Sequence, residues 1–146
     1  MAHSLSKIYI HAIWSTKDRE PLLQISFRDQ VFLHLEKRFH AFGCVPRIVN
    51  GMAEHVHAFF VLNPEKSVAE IMHLIKGESS HWINQQDFLQ TKFAWQVGYC
   101  ALSVSASQVM QVEEYIGKQE THHRKRSFNE ECEQLFARYG LDAGNR

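Results

Sequence analysis

Two histidines one residue apart, His55-Val56-His57, and a tyrosine followed one helical turn later by a glutamine, Tyr115-Ile-Gly-Lys-Gln119, are the parts of this chain that could do chemistry together. On a strand, side chains two apart point to the same face, so both imidazoles could reach one cation while Val56 turns away. On a helix, Tyr115 and Gln119 would lie one above the other, setting a phenol beside an oxygen donor. Two imidazole nitrogens and an amide oxygen leave open positions on a divalent ion, where the oxygens of a phosphate can bind and developing charge can be stabilised. A tyrosine hydroxyl, with an unperturbed pKa near ~10, is a weak nucleophile that needs such help. The pattern is that of phosphoryl transfer, with Tyr115 as nucleophile and His55, His57 and Gln119 as ligands.

Each half also has a plainer explanation. With ten histidines in 146 residues, random placement gives roughly 0.7 His-x-His pairs. A strand carrying two hydrogen-bonded core histidines would look the same. Tyr115 could be a helix tyrosine with a half-buried ring and a wet hydroxyl, and Gln119 a solvated neighbour. The chemical reading rests on the conjunction: the histidines lead an apolar, strand-like run, and of the tyrosines Tyr9, Tyr99, Tyr115 and Tyr139 only Tyr115 has a glutamine one turn on.

The elements that must position these residues follow from periodicity. Residues 7–14 alternate as a first strand. Residues 26–42 repeat Phe27, Val31, Phe32, Leu35, Phe39 and Phe42 at helical spacing, and Gly43 ends the helix. Residues 44–51 and 55–63 read as a hairpin, because the join at 52–54 is too short for a parallel crossover. Asn63-Pro64 breaks its second strand. Ser67 with Glu70 forms a capping box for a helix carrying Val68, Ile71, Met72 and Ile75 inward. A further strand is expected over 92–105, a helix over 105 to about 125, and a last helix from Ser127 or Phe128 to Tyr139. Gly117 inside the tyrosine helix would weaken it by about 1 kcal/mol relative to alanine, which fits a mobile arm or a close packing contact. The order strand, helix, strand, strand, helix, strand predicts an α+β, ferredoxin-like (split βαβ) sandwich with an antiparallel sheet, and C-terminal helices carrying the tyrosine. We expect one domain over 1–146, with a core at about 7–105 and the tyrosine helix and tail at about 105–146.

Composition narrows the function classes. The three cysteines, Cys44, Cys100 and Cys132, form no C-x-x-C pair, which argues against a disulfide framework or a cysteine zinc site and for a reduced, cytoplasmic setting. No stretch approaches membrane-spanning length and no apolar leader is visible, so a soluble protein without a membrane partner is expected. Formal net charge is zero, which argues against a tight grip on long duplex DNA but leaves local clusters able to hold phosphate. The candidates are Lys37/Arg38, Arg47, Lys76 and the run Arg124, Lys125, Arg126, each also explicable as solvated cations. Trp82, Trp95 and Tyr99 could stack on bases or belong to the core. His122 and His123 diverge by about 100° on a helix and would chelate poorly.

The segments Gly51-Met-Ala-Glu-His55-Val-His57-Ala-Phe-Phe-Val, Ile75-Lys-Gly-Glu-Ser-Ser80, Trp95-Gln-Val-Gly-Tyr99 and Tyr115-Ile-Gly-Lys-Gln119, with the basic stretch that follows, come in the order and spacing of a known family. Together they resemble the small single-tyrosine HUH transposases of bacterial insertion sequences, the IS200-like transposases, from about Lys7 to Leu141. One departure is Ala53-Glu54 where the family usually has Pro-Asp. It keeps an acid beside the site, either a turn carboxylate or a partner that orients a histidine, and loses a rigid turn residue.

The resemblance implies cleavage of single-stranded DNA, with Tyr115 joined to the 5′ phosphate and a 3′ hydroxyl released, and rejoining to another 3′ hydroxyl without a nucleotide cofactor. It implies Mg²⁺ as the divalent metal ion with Mn²⁺ able to substitute, DNA with hairpin ends as partner, and a homodimer in which the tyrosine helix of one subunit completes the other's site. Three alternatives stay open: a domesticated relative acting on chromosomal repeat hairpins, a non-catalytic ferredoxin-like nucleic-acid binding module, and a metal-dependent hydrolase that uses water.

Overall fold

The computed structural model of the chain describes residues 4–119 and 127–138. Strand β1 (Tyr9–Ser15), helix α1 (Arg28–Ala41), strands β2 (Val45–Gly51) and β3 (His55–Val61), helix α2 (Val68–Gln85) and strand β4 (Cys100–Val104) follow one another in the expected order. Helices α3 (Val109–Gly117) and α4 (Phe128–Arg138) come after them. The strands form one antiparallel sheet in the order β2-β3-β1-β4, the interleaved arrangement of a ferredoxin-like α+β sandwich.

The local causes are visible in the residues. The apolar stripe of α1 buries Val31, Phe32, Leu35 and Phe39. Gly43 takes φ +84°, a left-handed conformation that lets the chain reverse into β2, and a Cβ there would collide with the Asn63 side chain. That side chain in turn donates to the Phe42 carbonyl at 3.0 Å. Helix α2 starts on the expected capping box: Ser67 Oγ accepts from the Glu70 N–H at 3.1 Å, and Glu70 Oε1 accepts from the Ser67 N–H at 3.3 Å.

Alternation along the two central strands separates two layers. Ile10, Ala12 and Trp14 of β1 and Val56, Ala58 and Phe60 of β3 pack with Leu35, Phe39, Ile71 and Ile75 of α1 and α2. Each such fully buried Leu, Ile or Phe contributes about 1.5–3 kcal/mol. The intervening residues, His11 and Ile13 of β1 and His55, His57 and Phe59 of β3, face the other way, toward α3 and α4. Every residue of β3 is buried.

Two elements are shorter than the periodicity suggests. Residues 92–99 alternate as a strand should, with Phe93 and Trp95 buried, yet the Phe93 backbone pairs with a side chain. Its N–H donates to Asn84 Oδ1 at 2.7 Å, and its carbonyl accepts from Asn84 Nδ2 at 2.9 Å. Apart from an isolated bridge between Thr16 and Trp95, pairing begins only after Gly98 turns at φ +94° into β4. A short 3-10 turn, Ala106–Gln108, precedes α3, and Gly117 ends that helix instead of lying inside it. A Cβ on Gly117 would meet Ile48 at an ordinary 3.8 Å, so close packing does not explain the glycine. The part of the expected tyrosine helix from residue 120 onward lies outside the described residues, as does the end of the last helix from residue 139.

Candidate active site

Because β3 alternates, it sets both histidines on the face covered by α3 and α4. His55 places Nδ1 2.9 Å from Glu54 Oε1 and Nε2 2.9 Å from Gln119 Oε1. His57 places Nε2 2.7 Å from Glu131 Oε1 of α4 and Nδ1 2.8 Å from His11 Nε2 of β1. Gln119 Nε2 reaches the same Glu131 oxygen at 3.4 Å. Tyr115 stands edge-on to the His57 ring, centroids 5.9 Å apart, and its hydroxyl donates to Glu131. The structure thus brings Tyr115, His55, His57 and Gln119 of one chain together.

Helix α4 closes the cluster. Phe128 stacks on His55 with ring centroids 4.0 Å apart, and Leu135 packs with Ile13 and Tyr115. His55, His57, Gln119 and Glu131 are each 0% exposed. A carboxyl buried in this way should resist ionisation. The hydrogen bond from His57, the charges of His57 and His55 and the Tyr115 hydroxyl outweigh burial, holding Glu131 far below the usual carboxylate range. Burial, and then the charge of His57, push His11 well below the usual imidazole range against the pull of Glu131, so His11 is neutral.

The donor set suits a divalent ion. His55 gives its Nδ1 hydrogen to the Glu54 carboxylate, which can only accept, so in the neutral ring Nε2 is a lone pair. That lone pair faces another, on Gln119 Oε1, at 2.9 Å. A cation between them, a proton or a metal ion, reconciles the two. Ligand atoms of His55, His57 and Glu131 lie within 4.8 Å of one another. Two nitrogens, an amide oxygen and one carboxylate form a mixed shell that suits Mn²⁺ or another transition ion better than Mg²⁺, which prefers oxygen ligands.

Two residues of this cluster, Glu131 and His11, were not anticipated from the sequence. Glu131 carried a signal: it falls between Phe128 and Leu135 on the buried stripe of an amphipathic helix, where a carboxylate needs a partner. His11 carried a weaker one, as a histidine in the middle of a buried strand. Glu54 resolves toward orienting His55.

The remaining candidates are placed elsewhere. Arg47 of β2 pairs with Glu113 of α3. Lys76 donates to the Gln96 and Gly98 carbonyls at 2.7 and 2.6 Å, and burial lowers its pKa. Lys37 and Arg38 lie on α1, across the sheet from the histidines, with Arg38 3.6 Å from Glu78. Trp95 is a core residue and Trp82 stacks on His34 at 3.9 Å, whereas Tyr99 is 41% exposed. His122, His123, Arg124, Lys125 and Arg126 lie outside the described residues.

A ferredoxin-like sandwich with two buried histidines, a buried glutamine and a partly buried tyrosine brought together on one face does not by itself name a function, and comparison with known proteins gives the family. Residues 4–119 match the family described as "Transposase IS200 like", so the chain belongs to the IS200-like transposases. Among solved structures it is similar to a candidate transposase from Deinococcus radiodurans, with 23% identity, a TM-score of 0.62, and coverage of 82% of this chain and 95% of that one. It is also similar to a REP-associated tyrosine transposase bound to a REP hairpin, with 14% identity, a TM-score of 0.62, and coverage of 84% and 72%. No curated protein matches it. The family match contains His55, His57, Tyr115 and Gln119 and stops before Glu131.

Proposed function

We propose that this transposase cuts and rejoins single-stranded DNA through Tyr115. The observation that supports this most is the Tyr115 hydroxyl hydrogen-bonded to an ionised carboxylate, Glu131, beside two buried histidines. Tyr115 oxygen attacks the scissile phosphorus as the phenolic proton leaves toward Glu131, the bond from phosphorus to the 3′ oxygen breaks, and the departing 3′ oxygen takes up a proton from water. The products are a 5′-phosphotyrosine and a free 3′ hydroxyl. A 3′ hydroxyl from another strand reverses the step, so the bond energy is kept in the phosphotyrosine and no nucleotide cofactor is consumed.

His55, His57, Gln119 and Glu131 are the residues that would hold a divalent ion, Mg²⁺ in cells with Mn²⁺ able to substitute. When bound, the ion supplies positive charge that stabilises the phosphate in transfer. These side chains are 0% exposed, which makes the metal site a recess beneath α4, whereas Tyr115 at its edge is only partly buried. A single strand can bend into such a recess, which a paired duplex resists. The hairpin held by the REP-associated relative supports element ends that fold as hairpins, with the cut in the flanking single strand. We infer that each chain uses its own tyrosine, whether or not two chains pair.

The test is a labelled single strand carrying a hairpin, incubated with the protein and Mn²⁺. A covalent protein–DNA adduct with release of a 3′ hydroxyl supports the proposal. A free 5′ phosphate without adduct would identify a hydrolase that uses water, and tight binding without any cut would identify a binding module.

A further inference from the structure

We infer that His11 is a positioning residue, which holds the His57 ring and its proton so that Nε2 faces the cluster. The inference rests on the metal reading of the site given above. His11 and His57 are diagonal neighbours on one face of the sheet, since His11 is paired across β1 and β3 with Phe59. Their facing nitrogens, His11 Nε2 and His57 Nδ1, are 2.8 Å apart, and the two residues are 1% and 0% exposed. At that burial no solvent stands in for a missing partner.

A histidine binds a cation through a ring nitrogen that carries no hydrogen, and the other nitrogen must then carry one and donate it. For His57 Nε2 to serve, Nδ1–H must donate, and His11 Nε2 is the acceptor the structure provides. The same contact stops the ring from flipping, which would put carbon where Nε2 stands. His55 is held in the same manner by Glu54, so each histidine of the pair has an outer partner, but the two partners differ in charge.

That difference has a physical reason. His57 already faces one carboxylate, Glu131, at 2.7 Å. A second carboxylate on its Nδ1 would place two anions on one ring in a closed, low-dielectric site. An imidazole nitrogen accepts from Nδ1–H without adding a second anion.

The test titrates Mn²⁺ alone into the full chain and reads free Mn²⁺ by electron paramagnetic resonance. His11→Phe keeps a ring and removes the nitrogen. It should weaken Mn²⁺ binding by about 10–100-fold, the usual effect of losing a partner behind a metal ligand. His11→Gln puts an amide that both donates and accepts near the same place and should recover most of the affinity. Ring ¹⁵N shifts of His57 in wild-type protein loaded with diamagnetic Zn²⁺ give a second readout that needs no variant. Protonated Nδ1 with metal on Nε2 supports the inference, and the opposite pattern overturns it. Wild-type affinity in His11→Phe overturns it while leaving the metal reading intact. Failure of the wild-type protein to bind Mn²⁺ at all would overturn both.

Discussion

Strand β3 has two faces that are equally buried and chemically opposite. Toward α1 and α2 it presents Val56, Ala58 and Phe60 to an apolar cluster. Toward α3 and α4 it presents His55 and His57 to Gln119, Glu131, His11 and Tyr115. Burial therefore does not separate core from site in this molecule. The separation lies in how the buried groups are satisfied: the first face gains from leaving water, and the second holds polar groups that are tolerable only because they bond to each other. A buried polar group left without a partner costs about 1–3 kcal/mol. The second face is thus the one whose sequence answers to chemistry.

The comparison is broken most severely by removing an imidazole. His57→Ala should take adduct formation to background on a denaturing gel, while Gln119→Glu, which keeps an oxygen donor, should retain measurable activity. Because one chain assembles the whole cluster, mixing His57→Ala chains with Tyr115→Phe chains should restore nothing. Recovery of cleavage in the mixture would show that subunits exchange their tyrosines.

On the opposite face, Phe60→Ala should cost about 3–5 kcal/mol of stability in denaturant unfolding. Below its melting transition that variant should bind Mn²⁺ as tightly as the wild type. A loss of affinity comparable to that of His57→Ala would mean that the two faces are not independent. Glu131→Ala sharpens the second face further. It removes a ligand and the acceptor of the Tyr115 hydroxyl, so Mn²⁺ affinity of the free protein and the initial rate on a short single strand should both fall severalfold. A smaller effect is expected away from both faces, at the start of α2. Ser67→Ala should cost about 1 kcal/mol by removing the cap, with no change in adduct yield.

Much of this was legible in the chain. The alternation of β3 placed His55 and His57 together because a strand has a period of two whatever covers it. The stripe of α1 and the capping box of α2 are local patterns, and local physics sets them. The tyrosine helix is interrupted where the spacing suggested continuity: Gly117 ends α3 and Lys118 breaks the register before Gln119. The pairing of Gln119 with His55 is thus not the simple one-turn relation that the spacing suggested. Residues 92–99 misled because Asn84 supplies hydrogen bonds that a neighbouring strand would otherwise supply. Glu131 and His11 could not be assigned from spacing, since each meets His57 only through tertiary packing of an element far away in the chain.

The central claim is that Tyr115 of this cluster becomes covalently bound to DNA. A single strand with a hairpin and a 3′-side label is incubated with the protein and Mn²⁺, the adduct is digested with protease, and the labelled peptide is sequenced by mass spectrometry. The account predicts one phosphodiester-linked peptide, modified at Tyr115, and none from Tyr115→Phe. An adduct on Tyr9, Tyr99 or Tyr139, or an adduct that persists in Tyr115→Phe, would contradict it.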